Sequence, residues 1–138
     1  MIRALALGAC ALLSAAPGAA RAPTTPHEFT IGFGMTARSG SLQFSPRRIE
    51  EDSRCPASVR CIQAGTVRLS IAMTGFDSAR TTTLTLGIPR QVRADKWLTL
   101  SQVCPYPPAP GGIARASYRF TIAVSADDPG RIPARSCA

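Results

Sequence analysis

The stretch TVRLSIAMT, residues 66–74, places an apolar side chain at every second position: Val67, Leu69, Ile71 and Met73. Polar or small residues occupy the positions between them. Successive side chains of a β-strand point to opposite faces, so this alternation is typical of a strand with one buried face. The stretch therefore predicts a strand whose apolar face packs on a core.

The same alternation recurs along the chain on both sides of this strand. It is found at Phe29, Ile31, Phe33 and Met35, at Leu42 and Phe44, at Leu84 and Leu86, at Leu98 and Leu100, and at Tyr118, Phe120, Ile122 and Val124. Clusters of Gly, Pro and Ser separate the runs, and none of them carries a helical stripe. Six or seven short strands in roughly 115 residues predict an all-β fold. We expect a single antiparallel β-sandwich of immunoglobulin-like type, with a small β-barrel as the alternative.

The amino-terminal segment 1–22, MIRALALGACALLSAAPGAARA, has one positive charge followed by a run rich in Ala and Leu. This order and length are typical of a signal peptide, with cleavage near residues 20–22 and a single domain at 23–138. Cys10 closes a lipoprotein-like box, LGAC, but the apolar run before it is short and continues beyond it. Export to the periplasm or the medium without a lipid anchor is therefore favoured. No later run of about 18 apolar residues predicts a transmembrane segment.

The charge of the chain is strongly positive, at +8 over 138 residues. Removal of the leader takes away Arg3 and Arg21 and leaves a net charge near +6. The remaining arginines are scattered along the sequence, and the few aromatic residues mostly fall on the core faces of strands. This distribution allows weak attraction to anionic envelope polymers and argues against specific nucleic-acid recognition.

Four cysteines remain after the leader: Cys55, Cys61, Cys104 and Cys137. An even number in a small exported chain is typical of disulfides, and four cysteines allow three pairings. The spacing favours Cys55 with Cys61 and Cys104 with Cys137, because a short segment can reverse and bring its ends within bridging range. A zinc site is the rival, but there is no Cys-x2-Cys pair and the one histidine, His27, is distant in sequence. We predict no metal and no cofactor.

The segment EEDSRCPASVRCIQAG, residues 50–65, surrounds the first cysteine pair. Pro56 suits the first position of a helical turn, so a single turn is predicted over residues 56–60. Asp52 and Ser53 lie just upstream and can accept hydrogen bonds from loop amides. Gly65 is expected to supply a backbone conformation that other residues avoid.

The charged residues around this segment have a simple interpretation as surface ion pairs. The acids Glu50, Glu51 and Asp52 lie within reach of Arg47, Arg48 and Arg54. Exposed pairs of this kind contribute at most about 1 kcal/mol each.

The pattern EDSRCP-x2-V-x-C-x2-AG resembles a family of small, exported, largely uncharacterised bacterial proteins and lipoproteins. In that family the loop joins two strands of a β-sandwich. The resemblance implies the fold, an exported location and the Cys55–Cys61 bridge, and it implies no reaction. The chain departs from the family at Gln63, where an aromatic residue commonly precedes the Ala-Gly, and Cys104 and Cys137 are an additional pair.

Catalysis is not predicted, and no catalytic residue is assigned. A nucleophile and histidine arrangement would depend on His27, which lies close to the mature amino terminus, where chains tend to fray. Glu50, Glu51 and Asp52 are adjacent, and neighbouring side chains in extended structure point to opposite faces.

We expect a monomeric binding or structural module whose stiff loop meets an unknown protein or envelope component. Arg54 and Arg60 are the predicted contact residues, with Ser58 beside them and with Glu51 and Asp52 as their supports. The alternatives are an inhibitor that inserts the Cys55–Cys61 loop into an extracellular enzyme, and a loop that only specifies the fold.

Overall fold

Among the residues that the structure describes, the regular structure consists of eight β-strands and one turn of 3-10 helix. The protein was analysed as a computed structural model that describes residues 25–56, 58–63, 65–108 and 112–137. The predicted signal peptide and Cys10 lie outside these residues. The strands are β1 (His27–Ile31), β2 (Ala37–Ser39), β3 (Leu42–Asp52), β4 (Val67–Thr74), β5 (Arg80–Thr85), β6 (Arg90–Arg93), β7 (Lys96–Cys104) and β8 (Arg119–Ser125), and the 3-10 turn is Arg115–Ser117. No helix among the described residues is long and apolar enough to cross a membrane.

The strands form two antiparallel sheets of four, in the orders β1-β8-β7-β6 and β2-β3-β4-β5. This arrangement and the two disulfides confirm the predicted all-β sandwich. The connectivity differs from the immunoglobulin order. Strands β2 to β5 form one consecutive meander and β6 to β8 another, while β1 pairs with β8 across a long connection and gives the first sheet a Greek-key order. The chain changes sheet twice, between β1 and β2 and between β5 and β6. Tight turns at residues 40–41 and 94–95 place β3 beside β2 and β7 beside β6, whereas longer segments, residues 53–66 and 105–118, join β3 to β4 and β7 to β8.

The core lies between the two sheets and follows the alternation in the sequence. Val67, Leu69, Ile71 and Met73 of β4 are at most 3% exposed. They belong to one hydrophobic cluster with other apolar residues of both sheets, including Leu42, Phe44, Leu98, Leu100, Phe120 and Ile122. Full burial of side chains of this size contributes about 1.5–3 kcal/mol each, so the core is the main source of stability.

The alternation at Phe29, Ile31, Phe33 and Met35 corresponds to a strand only as far as Ile31, where β1 ends. Gly34 has a φ of 77°, a left-handed conformation that turns the chain toward the second sheet. Beyond this turn Met35 is 52% exposed. Phe33 still packs on the core, with its ring edge-on to Phe120 at 5.2 Å between centroids. The alternation at Phe33 and Met35 therefore belongs to a crossover and not to a strand.

The carboxyl-terminal residues after β8 form a strap against the first sheet. The Ile132 amide donates to the Gly87 carbonyl and the Arg135 amide to the Ser101 carbonyl, each at 3.0 Å. Cys137 closes the strap through its disulfide to Cys104, as predicted. Thr99 lies between core-facing leucines and therefore faces away from the core, yet it is only 1% exposed. Part of the sheet's second face is thus also covered.

Candidate functional site: the disulfide loop and its base

The connection between β3 and β4 begins at Ser53 and ends at Thr66, and these two residues are hydrogen-bonded to each other. The Ser53 amide donates to the Thr66 carbonyl at 2.9 Å, and the Thr66 amide donates to Ser53 Oγ at 3.0 Å. Ser53 Oγ in turn donates to Glu51 Oε1 at 3.0 Å. The prediction that Ser53 accepts a hydrogen bond from a loop amide is confirmed. These contacts fix the two ends of the loop against each other.

An ion pair lies directly beneath the loop. Arg54 Nε donates to Asp52 Oδ1 and Arg54 NH2 donates to Asp52 Oδ2, each at 2.8 Å. The Arg54 amide also donates to Asp52 Oδ1, at 3.3 Å, which confirms the predicted acceptor role of Asp52. The Arg54 side chain is only 5% exposed and the Asp52 side chain only 10%. This burial corrects the expectation of a surface pair, and it removes Arg54 from the surface that a partner can touch.

Arg54 also connects the loop to the other sheet. Its NH1 donates to the Val103 carbonyl and its NH2 to the Pro105 carbonyl, the latter at 3.0 Å. These carbonyls flank Cys104, the first half of the second disulfide. The guanidinium carbon lies 5.5 Å from the centroid of the Tyr106 ring. A guanidinium has five N–H donors in a fixed plane, so one arginine can hold a carboxylate and two carbonyls in a single arrangement.

Tyr118, the residue immediately before β8, completes the polar cluster. Its hydroxyl donates to Asp52 Oδ2 at 2.8 Å. Burial and the hydrogen bond to the Asp52 carboxylate raise the pKa of Tyr118 to about 12. Burial acts to raise the pKa of Asp52, but the hydrogen bonds from Arg54 and Tyr118 and the positive charge of Arg54 outweigh it, and the pKa lies below its ordinary value of 3.8. Asp52 is therefore an ionised structural acceptor at neutral pH.

Gly65 has a steric role that differs from the predicted one. It is not among the glycines with positive φ, so it does not supply a left-handed conformation. A side chain at this position would instead overlap the Ser53 carbonyl and the Arg54 Cα. The glycine allows the returning chain to pass directly over the outgoing chain at the loop base.

The disulfide loop, which we define as residues 55–61 with the adjoining Ile62, projects from this base. The Cys55–Cys61 bridge joins Cα atoms 6.0 Å apart, as the sequence predicted. The Val59 amide donates to the Pro56 carbonyl at 3.0 Å, which confirms a single turn inside the bridge. Val59 is 50% exposed and Ile62 is completely exposed. The loop therefore presents apolar side chains to the solvent from a covalently closed turn.

A shallow cavity of about 220 Å³ lies beside the loop. Its lining comes from the loop base, the β5–β6 corner, the segment after β7 and the strap, at Cys55, Gly65, Leu86, Tyr106 and Ala134 together with Arg54. A second cavity, of about 260 Å³, shares Gly65, Leu86 and Ala134 with the first and continues along the strap. Together they form a groove along one side of the disulfide loop.

The structure separates the five predicted interaction residues into two groups. Asp52 and Arg54 meet inside the protein, and Glu51 is a half-buried acceptor at the loop base. Ser58 and Arg60 are exposed on the disulfide loop. Ser58 and Arg60 are therefore accessible to a partner, whereas the predicted contact role of Arg54 is corrected by its burial.

Two residues of the site were not predicted as such. Tyr118 was placed only in a strand, although a tyrosine at a core position needs a partner for its hydroxyl, and that need is a usable signal. Ile62 carried a signal too, since it is a β-branched apolar residue within a polar, cysteine-bounded loop.

In the part of the chain that the structure describes, the side chains that could ligate a metal ion are dispersed. No three side chains of His, Cys, Asp or Glu lie together there as a group that could hold a metal ion. All buried side-chain polar atoms among the described residues have hydrogen-bond partners. Comparison of the chain with protein-family models, with curated proteins and with solved structures found no match.

Proposed function

We propose that this protein is an exported, non-catalytic binding module that recognises another exported protein through the disulfide loop. The observation that carries the proposal is the full exposure of Ile62 beside half-exposed Val59, on a loop whose base is fixed by the buried Asp52–Arg54 pair. Export is supported by the leader-like segment 1–22 and by two disulfides, which are consistent with an oxidising environment. The resemblance of the EDSRCP loop to a family of exported bacterial proteins supports the same location.

The stiffness of the loop favours binding. A loop held by a disulfide, an internal turn and a hydrogen-bonded base has little conformational entropy left to lose when a partner docks. Exposed apolar side chains on such a loop lose contact with water on binding, at about 25 cal/mol per Å² of apolar surface. Arg60, which is exposed on the same loop, supplies a charged hydrogen-bond donor at its edge. A small apolar centre with a polar rim is the usual composition of a protein interface.

The alternative function is inhibition of an extracellular enzyme by the same loop. The turn between Pro56 and Val59 argues against an extended, substrate-like segment, because it folds the chain back inside the bridge. An inhibitor of this kind would therefore have to block a cleft as a compact knob. A partner that is an enzyme, and that loses activity on binding, would identify this alternative.

Site-specific photocrosslinking in the native host tests the proposal. A photoreactive residue in place of Ile62 reports which proteins contact the disulfide loop. The same residue in place of Ser78 is the matched control. Ser78 is exposed in the turn after β4, at the far end of the strand from Thr66. We expect a discrete adduct with one exported protein from position 62 and none from position 78. The adduct should be lost when Val59 and Arg60 are replaced by Ala and Glu in a protein that still folds.

Three results would contradict the proposal. The first is the same adduct pattern from positions 62 and 78, and the second is the absence of any adduct from position 62. The third is an adduct that survives the Val59 and Arg60 substitutions. Non-reducing mass mapping of the purified protein tests export separately, since we expect a mature amino terminus near residue 21 or 23. A retained leader or a lipid on Cys10 would contradict a freely soluble exported module.

A further inference from the structure

Two adjoining cavities lie where β1 crosses to the second sheet, away from the disulfide loop. The larger measures about 420 Å³, and the smaller about 300 Å³. Arg115, at the start of the 3-10 turn, lines both of them. We call the pair of cavities the arginine cleft.

The larger cavity is polar and basic. Besides Arg115 it is lined by Arg47 and by the hydroxyl-bearing residues Thr36 and Ser45. The two hydroxyl oxygens lie 2.8 Å apart, so they hold each other in place at the cavity wall. Gly34, which has a positive φ, lines the same wall and leaves the backbone accessible.

The smaller cavity is more apolar. Its walls include Phe33, Ile49, Ile113 and Tyr118, and Arg48 lies at its edge. Phe33, Ile49 and Ile113 pack on the hydrophobic core with part of their surface still exposed. A ligand that fits both cavities therefore needs a charged end and an apolar end.

Arg115 is held in position at the junction. Its guanidinium carbon lies 4.3 Å from the centroid of the Phe33 ring, and its NH2 donates to the Arg47 carbonyl at 2.7 Å. Stacking on an aromatic ring and a hydrogen bond to a carbonyl fix the plane of a guanidinium and leave other N–H donors free to bind an anion. The side chain is thus preorganised without a carboxylate partner.

The positive charge of the arginine cleft is not neutralised locally. Neither Arg47 nor Arg115 is in an ion pair with any carboxylate among the described residues, and Glu50, which Arg48 contacts at 3.6 Å, is shared with Arg68. Clustered arginines in a concave surface create a positive potential that favours anions. Arginine also matches the geometry of phosphate oxygens through paired N–H donors.

We propose that the arginine cleft binds an organic phosphate with an apolar moiety, with the phosphate at Arg47 and Arg115 and the apolar part against Phe33, Ile49 and Ile113. The chemistry is that of a phosphorylated amphiphile, whether it is free or part of a lipid headgroup. This site is independent of the protein-binding role proposed for the disulfide loop.

The proposal is tested by titrating the folded protein with three probes and monitoring its backbone amide chemical shifts by NMR. The probes are inorganic phosphate, hexyl phosphate and hexanol. We expect saturable shifts at Gly34, Thr36 and Ile113 with hexyl phosphate, and a Kd at least about tenfold lower than for inorganic phosphate because the chain leaves water. Hexanol should give no saturable shift at these amides, since it lacks the charge.

Matched variants separate the cleft from general electrostatic attraction. The Arg47 side chain is exposed. The variants Arg47→Ala and Arg115→Ala should each raise the Kd for hexyl phosphate by about fivefold or more. Arg90→Ala removes the same charge from an exposed position in β6 and should leave the Kd within about twofold. Equal losses in Arg47→Ala and Arg90→Ala would overturn the proposal. So would the absence of saturable shifts at the three cleft amides, or shifts that map elsewhere on the protein.

If the cleft binds hexyl phosphate, titration with vesicles that contain a phosphorylated lipid distinguishes the two sources. Co-sedimentation that depends on Arg47 and Arg115 would assign the site to a membrane-borne phosphate. A lack of co-sedimentation would assign it to a free ligand.

Discussion

Asp52 and Arg54 are two residues apart in the chain, and their side chains form a bidentate ion pair that connects the two sheets of the sandwich. Asp52 ends β3 in one sheet, while Arg54 donates to the Val103 carbonyl on β7 in the other. Tyr118, immediately before β8, donates to the same carboxylate. Four polar groups from both layers thus meet at the base of the disulfide loop. The orientation of the loop is therefore coupled to the packing of the sandwich.

Removal of the Asp52 carboxylate should destabilise the protein strongly. Asp52→Ala leaves the guanidinium of Arg54 buried without its counter-charge, and losses of about 3–5 kcal/mol are typical when one partner of a buried pair is removed. Urea unfolding measures the change in the free energy of unfolding. Glu28→Ala is the matched control, because the Glu28–Arg135 pair has the same 2.8 Å separation but side chains that are 37% and 50% exposed. Its cost should stay below about 1 kcal/mol.

The double variant Asp52→Ala with Arg54→Ala completes the test. Because the second substitution removes the orphaned charge, the double variant should lose less than the sum of the two single losses, with a coupling of about 0.5–3 kcal/mol. Additive losses, or an Asp52→Ala cost equal to that of Glu28→Ala, would show that the pair is not a coupled buried unit.

The raised pKa of Tyr118 predicts a loss of stability at alkaline pH. In the unfolded chain the phenol titrates near 10.0, and in the folded protein near 12, so the folded state holds the proton more tightly. The contribution is fully present below pH 10 and declines as the pH rises toward 12. The free energy of unfolding of the native protein should therefore fall more steeply over this window than that of Tyr118→Phe. Parallel pH profiles for the two proteins would rule out this coupling.

Much of the fold was readable from the sequence because burial imposes a period of two on each strand. Val67 to Met73 alternate as a half-buried strand must, and their alternation gave the position of β4 correctly. Phe33 and Met35 continue the same period across a turn, so periodicity alone could not show where β1 ends. The strand order could not be predicted either, because the alternation indicates which residues face the core but not which strands are neighbours in a sheet.

The candidate site was readable only in part, because sequence proximity does not reveal burial. Asp52, Arg54 and Arg60 look alike as charged residues in a polar segment. Arg54 is buried because Val103 and Pro105, some 50 residues away in the chain, offer it carbonyls. No local pattern encodes that contact. The arginine cleft shows the same effect, since Arg47 and Arg115 are 68 residues apart and only the fold brings them together.

Gly65→Ala should weaken the loop base. An added methyl group would overlap the Ser53 carbonyl, and that backbone is already fixed by hydrogen bonds to Thr66. Overpacking of this kind typically costs about 1–3 kcal/mol. Urea unfolding measures the cost, and Gly112→Ala is the control, because a methyl group there would meet nothing within 4 Å. Similar values for the two variants would mean that the loop base can relax around the extra atom.

The two disulfides should contribute unequally to stability. In the chain-entropy model the Cys104–Cys137 bridge, with a sequence separation of 33, contributes about 3.7 kcal/mol, and the Cys55–Cys61 bridge, with a separation of 6, about 2 kcal/mol. Urea unfolding of the Cys104→Ala/Cys137→Ala and Cys55→Ala/Cys61→Ala variants compares the two contributions.

The Cys104→Ala/Cys137→Ala variant, the first of the two, should also release the strap, so amide exchange in β7 around Thr99 and Ser101 should rise. The second should leave exchange in β7 unchanged while it loosens Val59. The reverse order of stabilities, or unchanged exchange around Thr99 in the first variant, would show that the strap is held by its hydrogen bonds and the Glu28–Arg135 pair without help from the disulfide.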